Sequence, residues 1–299
     1  MKSKRISPIA RPTIFRSRSS VAHSVRFRKR TWITVILLFT FVWLEFDSMA
    51  QETKTTGSQS SNSIGQVYEP REFIGSSKVP LKYRLLKPIH YQAGKKYPMV
   101  LFLHGAGERG DDNMVTLKHA AKELADETRR EKYPCYVLIP QCPKEQKWSD
   151  VDWSQESSEQ PVNPSQSLQS LKELMDEMID TAGVDKNRVY ITGLSMGGYG
   201  TWDAIARYEG YFAAAVPICG GGDPKMVSKF SKLPIWCFHG EADMVVKVLR
   251  SREMIDALKK VGSPVKYTEY PDVQHDSWTA TYANPDLYQW LFAQQRTDK

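Results

Sequence analysis

RVYITGLSMGGYG, residues 188–200, divides at its centre into two kinds of chain. Arg188 to Thr192 is short, β-branched and aromatic, the composition of a parallel strand buried on both faces. Gly193-Leu194-Ser195-Met196-Gly197 follows without a spacer, and a helix-compatible run continues to Ala206. A serine between glycines at a strand-to-helix corner has the pattern of a nucleophile elbow. The turn leaves no room for side chains at the flanking positions and lifts the hydroxyl above the sheet. Gly198 and Gly200 would let the following helix lie close to that sheet. A reactive serine here requires a base, an acid to orient the base, and donors for an oxyanion.

Outward from this stretch, buried strands alternate with amphipathic helices. Upstream, Val79–Leu86 alternates as an antiparallel strand does, closed by Pro88 and a turn over Tyr91–Lys96. Pro98–Leu103 (PMVLFL) and Tyr136–Ile139 (YVLI) are continuous apolar strands, and Asn113–Thr128 reads as a helix with a loose apolar side. Leu168–Thr181 is the clearest helix, with Leu168, Leu171, Met175 and Met178 recurring at three and four. Downstream, strands are expected over Phe212–Ile218, Ile235–Phe238 and Val265–Tyr270, and helices over Val248–Val261 and Asn284–Gln295. The alternation predicts one α/β domain over residues 67–299, a mostly parallel sheet flanked by helices on both faces.

The formal charge of +7 does not belong to that domain. Residues 1–50 hold ten Lys or Arg against Glu45 and Asp47, so residues 51–299 come to −1. A nucleic-acid partner is therefore not expected. The basic segment has the order of an export signal. Arg26, Arg28, Lys29 and Arg30 precede fourteen uncharged residues, Thr31–Leu44, and Ser48-Met49-Ala50 offers a small-residue cleavage site. Cleavage after Ala50 is the expectation; retention as an N-terminal anchor, the one route to a membrane, is the alternative. Residues 51–66 are polar and Ser/Thr/Gln-rich and read as a flexible linker. In an exported chain Cys135, Cys142, Cys219 and Cys237 could pair; the sequence chooses no connectivity, and a single buried thiol is favoured for Cys237.

Six histidines could serve as the base. His23 lies in the leader, His90 in a turn and His119 in the expected Asn113–Thr128 helix. His104, His239 and His275 all follow strands and reach the carboxyl edge of the sheet, where sites of such folds form. Serine, acid, histidine is the chain order for this architecture, and His275 alone leaves room for a strand-end acid between itself and Ser195. His104 and His239 are read as loop braces. Asp243, just past Ile235–Phe238, is the leading acid, with Glu241 and then Asp223 as rivals. Met196 is expected to give one oxyanion amide at the start of its helix, and Ala106 or Gly107 the other.

FLHGAG, GLSMGG, HGEAD and the histidine of VQHDSW, in that order over about residues 70–299, resemble the α/β-hydrolase superfamily. Within it, GLSMGGYGTWD and HGAGERGDDN are most similar to bacterial secreted esterases grouped with polyhydroxybutyrate depolymerases, feruloyl and acetylxylan esterases, and the phospholipase/carboxylesterase group. The resemblance implies an α/β-hydrolase fold, serine esterase activity, Ser195 as nucleophile, His275 as base, Asp243 as acid, and Ala106 with Met196 as oxyanion donors. Such a serine mechanism requires no metal or organic cofactor, and no metal-ligand spacing is evident in the sequence. Exopeptidases of the prolyl oligopeptidase type share these motifs, but residues 51–97 are too short for their propeller. An inactive binding protein of this fold would typically lack a triad member.

The loops bear on substrate. Cys219–Leu233 is short and glycine- and lysine-bearing, so no large lid is expected. The main elaboration is Pro143–Gln166, a polar loop with Trp148 and Trp153. These indoles either stack on a sugar or aromatic ring or anchor the loop. Trp278 either packs behind His275 or lines the pocket. The expected substrate is an accessible ester, a small molecule or an acyl group (acetyl or feruloyl) on a polysaccharide.

Overall fold

The computed structural model describes residues 64–153, 155 and 157–296. The leader, the linker up to residue 63 and the last three residues lie outside the described part. Residues 64–67 form a helical turn whose Ile64 packs on the core, so the domain begins slightly before Val67.

Eight strands form one sheet in the order β1-β2-β4-β3-β5-β6-β7-β8. They are β1 (Glu69–Ile74), β2 (Pro80–Leu86), β3 (Tyr97–Leu103), β4 (Tyr136–Pro140), β5 (Val184–Leu194), β6 (Ala214–Ile218), β7 (Trp236–Gly240) and β8 (Lys266–Tyr270). Only β2 runs against the others: it is antiparallel to both β1 and β4, and β4 through β8 pair in parallel. The central strands bury both faces, and their apolar runs divide by parity. Met99, Leu101 and Leu103 of β3 enter one core, while Val100 and Phe102 enter the other. Val189 and Ile191 against Tyr190 repeat this split in β5. That two-sided burial explains why these strands read as continuous rather than alternating hydrophobic segments.

Helices α1 (Ala121–Leu124), α2 (Glu127–Lys132), α3 (Gln166–Thr181), α4 (Met196–Arg207), α5 (Leu249–Lys260), α6 (Ser277–Ala283) and α7 (Pro285–Phe292) cover the faces. Leu168, Leu171, Leu174 and Met175 of α3, Ala204 and Ile205 of α4, and Met254, Ile255 and Leu258 of α5 close the first core. Leu124, Tyr282, Leu287, Tyr288 and Leu291 close the second. The helix expected over Asn113–Thr128 is instead broken into a 3-10 turn at Val115–Leu117 followed by α1 and α2. Asn113 sits at φ 54°, outside helical space, and its carbonyl accepts from the buried Arg84 guanidinium. Asp126 then caps α2 by accepting from the Arg129 N–H at 2.9 Å, which restarts the helix in a new direction.

Between β6 and β7 the chain makes a 3-10 helix, Pro224–Phe230, whose Val227 and Phe230 lie in the first core. This connection is part of the domain wall and forms no lid. All four cysteines are unpaired, three of them buried. Among the described residues no helix is long and apolar enough to cross a membrane.

Candidate active site

β5 delivers Ser195 to the carboxyl edge, and the Ser195 N–H donates to the Ile218 carbonyl of β6 at 3.0 Å. The residue then turns to φ 54°, ψ −116°, strained for a side chain larger than glycine, and α4 starts at Met196. Two glycines make this corner possible. A Cβ on Gly193 would strike the Gly197 carbonyl, and one on Gly197 would strike the Leu103 carbonyl of β3. The glycines in GLSMG thus answer to backbone crowding on both sides of the serine.

His275 lies in the loop between β8 and α6. Its carbonyl accepts from Ser277 N–H at 2.9 Å, and the Asp276 carboxylate caps α6 by accepting from Thr279 N–H at 3.2 Å. The Asp243 loop is tied to it, since Ala242 N–H donates to the Val273 carbonyl at 3.0 Å. His275 Nδ1 stands 2.7 Å from Asp243 Oδ2 and its Nε2 stands 3.0 Å from Ser195 Oγ. A carboxylate only accepts, so Nδ1 carries the proton and Nε2 is left to accept the serine hydroxyl. Serine, imidazole and carboxylate form one hydrogen-bonded chain.

Asp243 is buried and receives more than the histidine. Its Oδ1 accepts the amides of Val245 and Val246 at 2.8 and 2.9 Å, and its Oδ2 lies 3.2 Å from His239 Nε2. Burial acts to raise this carboxyl. The donors from His239, His275 and Val246 outweigh it and hold the group well below the usual carboxylate range. Neither Glu241 nor Asp223 takes this place. Asp223 instead caps the Pro224–Phe230 helix and accepts from the Gln160 N–H at 3.0 Å.

His239 braces the acid loop, its Nε2 also donating to the Val246 carbonyl at 2.8 Å while Nδ1 meets Ser251 Oγ at 2.7 Å. His104 braces the loop after β3. Its Nδ1 donates to the Gly105 carbonyl at 2.7 Å and its Nε2 accepts the Cys142 N–H at 3.0 Å, which fixes a neutral ring. Burial pushes His104 down to about 4. The unfolded histidine, near 6.5, takes up its proton first on acidification, so stability is full above that value and falls between about 6.5 and 4. The loss amounts to roughly 3 kcal/mol. Urea unfolding at pH 7.5 and 4.5 should show it, and the difference should shrink in His104→Asn; an equal difference in both proteins would rule out this origin.

Ala106 opens a 3-10 turn, Ala106–Glu108, as Met196 opens α4. The first N–H of a helix has no acceptor within it, so both amides are free by position to meet a developing negative charge. Gly107, the other candidate, is the second residue of that turn.

The three tryptophans fare differently. Trp148 is fully buried, with its indole N–H on the His104 carbonyl at 3.1 Å and its ring edge-on to His104 at 5.2 Å. It has no face to offer a ligand, which corrects its expected role in substrate binding. The missing side chain at Gly200 makes room for it, since a Cβ there would strike Trp148 Cβ. Burying an indole removes on the order of 200 Å2 from water, roughly 5 kcal/mol by transfer bookkeeping, so Trp148 is an anchor of its loop. Trp153 is half-buried beside Tyr199, one turn of α4 beyond Ser195, at 6.4 Å between rings. Lys147 Nζ lies 4.5 Å over the same indole, and Val151, Tyr199 and Val246 complete a small apolar cluster. Trp278 packs edge-on to His275 at 5.2 Å and 89°, behind the base.

The polar ends of the Pro143–Gln166 loop are fastened by residues that the sequence patterns did not single out. The buried Asp203 of α4 accepts Ser149 Oγ at 2.6 Å, Gln160 Nε2 at 2.7 Å and Arg207 Nε at 2.5 Å. Arg207 continues to the Pro161 and Val162 carbonyls, and Arg250 reaches Ser158 Oγ.

Cys219, Asp243 and His275 bring their donor atoms within 4.8 Å of one another. Asp243 and His275 are already hydrogen-bonded together, and burial pushes the Cys219 thiol far up. The Asp243 and His275 side chains are thus already engaged in the chain that ends on Ser195.

A strained serine at a strand–helix corner, bonded to a histidine and an acid on later strand-end loops, defines a hydrolase-type site on an α/β-hydrolase fold. Residues 87–284 match the family model described as phospholipase/carboxylesterase, and the chain belongs to that family. Its chemistry as a family is carboxylic-ester hydrolysis. A crystal structure of a thermostable esterase superposes with TM-score 0.73 at 41% identity, over 78% of this chain and 64% of that one. An uncharacterized secreted protein of Arthroderma benhamiae is 25% identical over 217 residues, covering 60% of this chain and 21% of its own. A bifunctional acetylxylan esterase/xylanase of Neocallimastix patriciarum is 27% identical over 130 residues, covering 43% of this chain and 19% of its own. The chain thus spans under two thirds of that esterase and about a fifth of the two relatives.

Proposed function

We propose that this protein is an exported serine esterase that removes acyl groups, acetyl or feruloyl, from polysaccharides. The observation that carries the chemistry is the Ser195–His275–Asp243 chain with its two bonds of 3.0 and 2.7 Å. Ser195 Oγ attacks the ester carbonyl while His275 Nε2 takes its proton. The carbonyl oxygen becomes an anion facing the Ala106 and Met196 amides. His275 then hands the proton to the departing alcohol, leaving an acyl-enzyme on Ser195. Water, deprotonated by the same nitrogen, releases the acid and restores the serine. Asp243, kept ionised, holds the imidazole in the accepting tautomer and stabilises its charge.

Three features support the substrate class. The β6–β7 connection folds into the wall and provides no cover for a long acyl chain. Trp153 is half-buried beside the nucleophile helix, with the Lys147 ammonium over its indole, and an indole placed there suits contact with a sugar or aromatic ring. The similarity to an acetylxylan esterase/xylanase and to a secreted protein agrees in class. Export rests on the basic and apolar order of residues 26–50.

Acetylated xylan, a feruloyl ester, a p-nitrophenyl acetate and a peptide anilide, assayed side by side, test this reading. The polysaccharide and feruloyl esters should give the highest kcat/KM, and Trp153→Ala should raise KM for them while sparing p-nitrophenyl acetate. Faster cleavage of the anilide than of any ester would make the protein a peptidase instead.

A further inference from the structure

Behind the Ala106 amide lies a second acid–histidine pair. Glu108 ends the Ala106–Glu108 turn, yet its carboxylate is buried, with Oε1 3.2 Å from His119 Nε2. Its other oxygen lies against the Gly105 backbone: a Cβ on Gly105 would stand 3.0 Å from Glu108 Oε2 and 3.8 Å from Ser195 Cβ. The Gly105 carbonyl accepts the His104 ring N–H at 2.7 Å and the Glu108 backbone N–H at 3.3 Å. In a trans peptide the N–H points opposite to the carbonyl, so pinning that oxygen sets the direction of the Ala106 N–H. Those two donors are a ring and a backbone amide, and the Glu108 carboxylate bears on this peptide through the packing of Oε2 on Gly105.

The pair also reaches the base. The His119 ring meets Trp278 edge-on at 5.2 Å and 65°, and Trp278 meets His275 at 5.2 Å and 89°. Glu108, His119, Trp278 and His275 are therefore in continuous contact from the β3 loop to the loop before α6. Burial works to raise the Glu108 carboxyl, but the hydrogen bond from His119 and the nearby Lys118 charge hold it below the usual range, so it is an anion that keeps its partner.

We propose that Glu108 and His119 act as a positioning pair, holding the Ala106 amide and, through Trp278, the His275 ring in register with Ser195. The inference rests on the ester-hydrolase reading above. Neither residue touches the reacting atoms; each acts through a neighbour. A displacement of the amide or ring by a fraction of an ångström weakens the transition state more than the bound ester.

Glu108→Ala and His119→Ala should each lower kcat about 10- to 100-fold with KM within about twofold. The double variant should be no worse than the poorer single one, because either change breaks the same link. Glu108→Gln, which keeps a side-chain partner for His119, should recover most of the rate. Unchanged kcat in folded Ala variants, additive losses, or no recovery in Glu108→Gln would each overturn the proposal. A readout independent of turnover separates it from the reading it rests on. The Nδ1 proton of His275, bonded to Asp243, can be followed by NMR at low field. It should shift or exchange faster in His119→Ala, or in the milder His119→Gln if the alanine variant does not fold. If the wild type hydrolyses no ester, the functional reading fails, while an unmoved resonance would still refute the coupling and a moved one support it.

Discussion

Replacing Ser195 by alanine is expected to lower kcat/KM on an ester by about 10^4- to 10^6-fold, with the fold unchanged. The change deletes only the hydroxyl bonded to His275 Nε2 at 3.0 Å. It also relaxes nothing around it, because the φ of 54° is imposed by the backbone packed around Gly193 and Gly197. Binding and the two amides stay in place, so a residue of catalysis above the water rate should persist. Fluorophosphonate labelling of the wild type, absent from the variant, is the sharper measurement. Labelling that survives in Ser195→Ala, or an activity above about 1% of wild type, would move the nucleophile elsewhere.

Asp243→Asn should cost about 10^4 in kcat while leaving ester binding nearly intact. Its oxygen would stay on the Val245 and Val246 amides, which need an acceptor, and its NH2 would then face His275 Nδ1. The imidazole must answer by accepting at Nδ1, which puts the proton on Nε2, where it cannot take one from Ser195. The same NH2 opposes the His239 donor, which lies 3.2 Å from Oδ2 in the wild type, so folding should weaken by roughly 1–3 kcal/mol. The pH response carries a sign. The native carboxyl is held below its unfolded value, so its contribution is complete above about 4 and is lost as pH falls below that. The variant should lose less stability there. Full activity in Asp243→Asn would instead transfer the acid's role to a neighbour.

The elements written most plainly in the sequence are those whose burial is one-sided or complete. α3 keeps its three-and-four spacing because one face meets the sheet, and β3 to β7 are apolar because both of their faces do. β1 was not legible: its residues are exposed or half-buried throughout, so no alternation marks them. α6 is seven residues long and rich in threonine and alanine, and its start is fixed by the Asp276 cap rather than by period. Ser195, Asp243 and His275 could be singled out because a strand-end position and a chain order restrict them. Trp148 could not be told from Trp153. Both stand in the same polar loop, and only the hollow beside Gly200 and the His104 carbonyl beneath it separate a fully buried anchor from a half-buried ring. Glu108 and His119 are eleven positions apart across irregular turns, where no periodicity links them.

The loop bearing Trp153 is fastened at Ser149 and Gln160 to Asp203, on the same helix that starts beside Ser195, and at Ser158 to Arg250 of α5. Mutations between those moorings leave the nucleophile, its base and its acid untouched. A lineage carrying this domain can therefore change a few side chains there while inheriting the cutting chemistry intact.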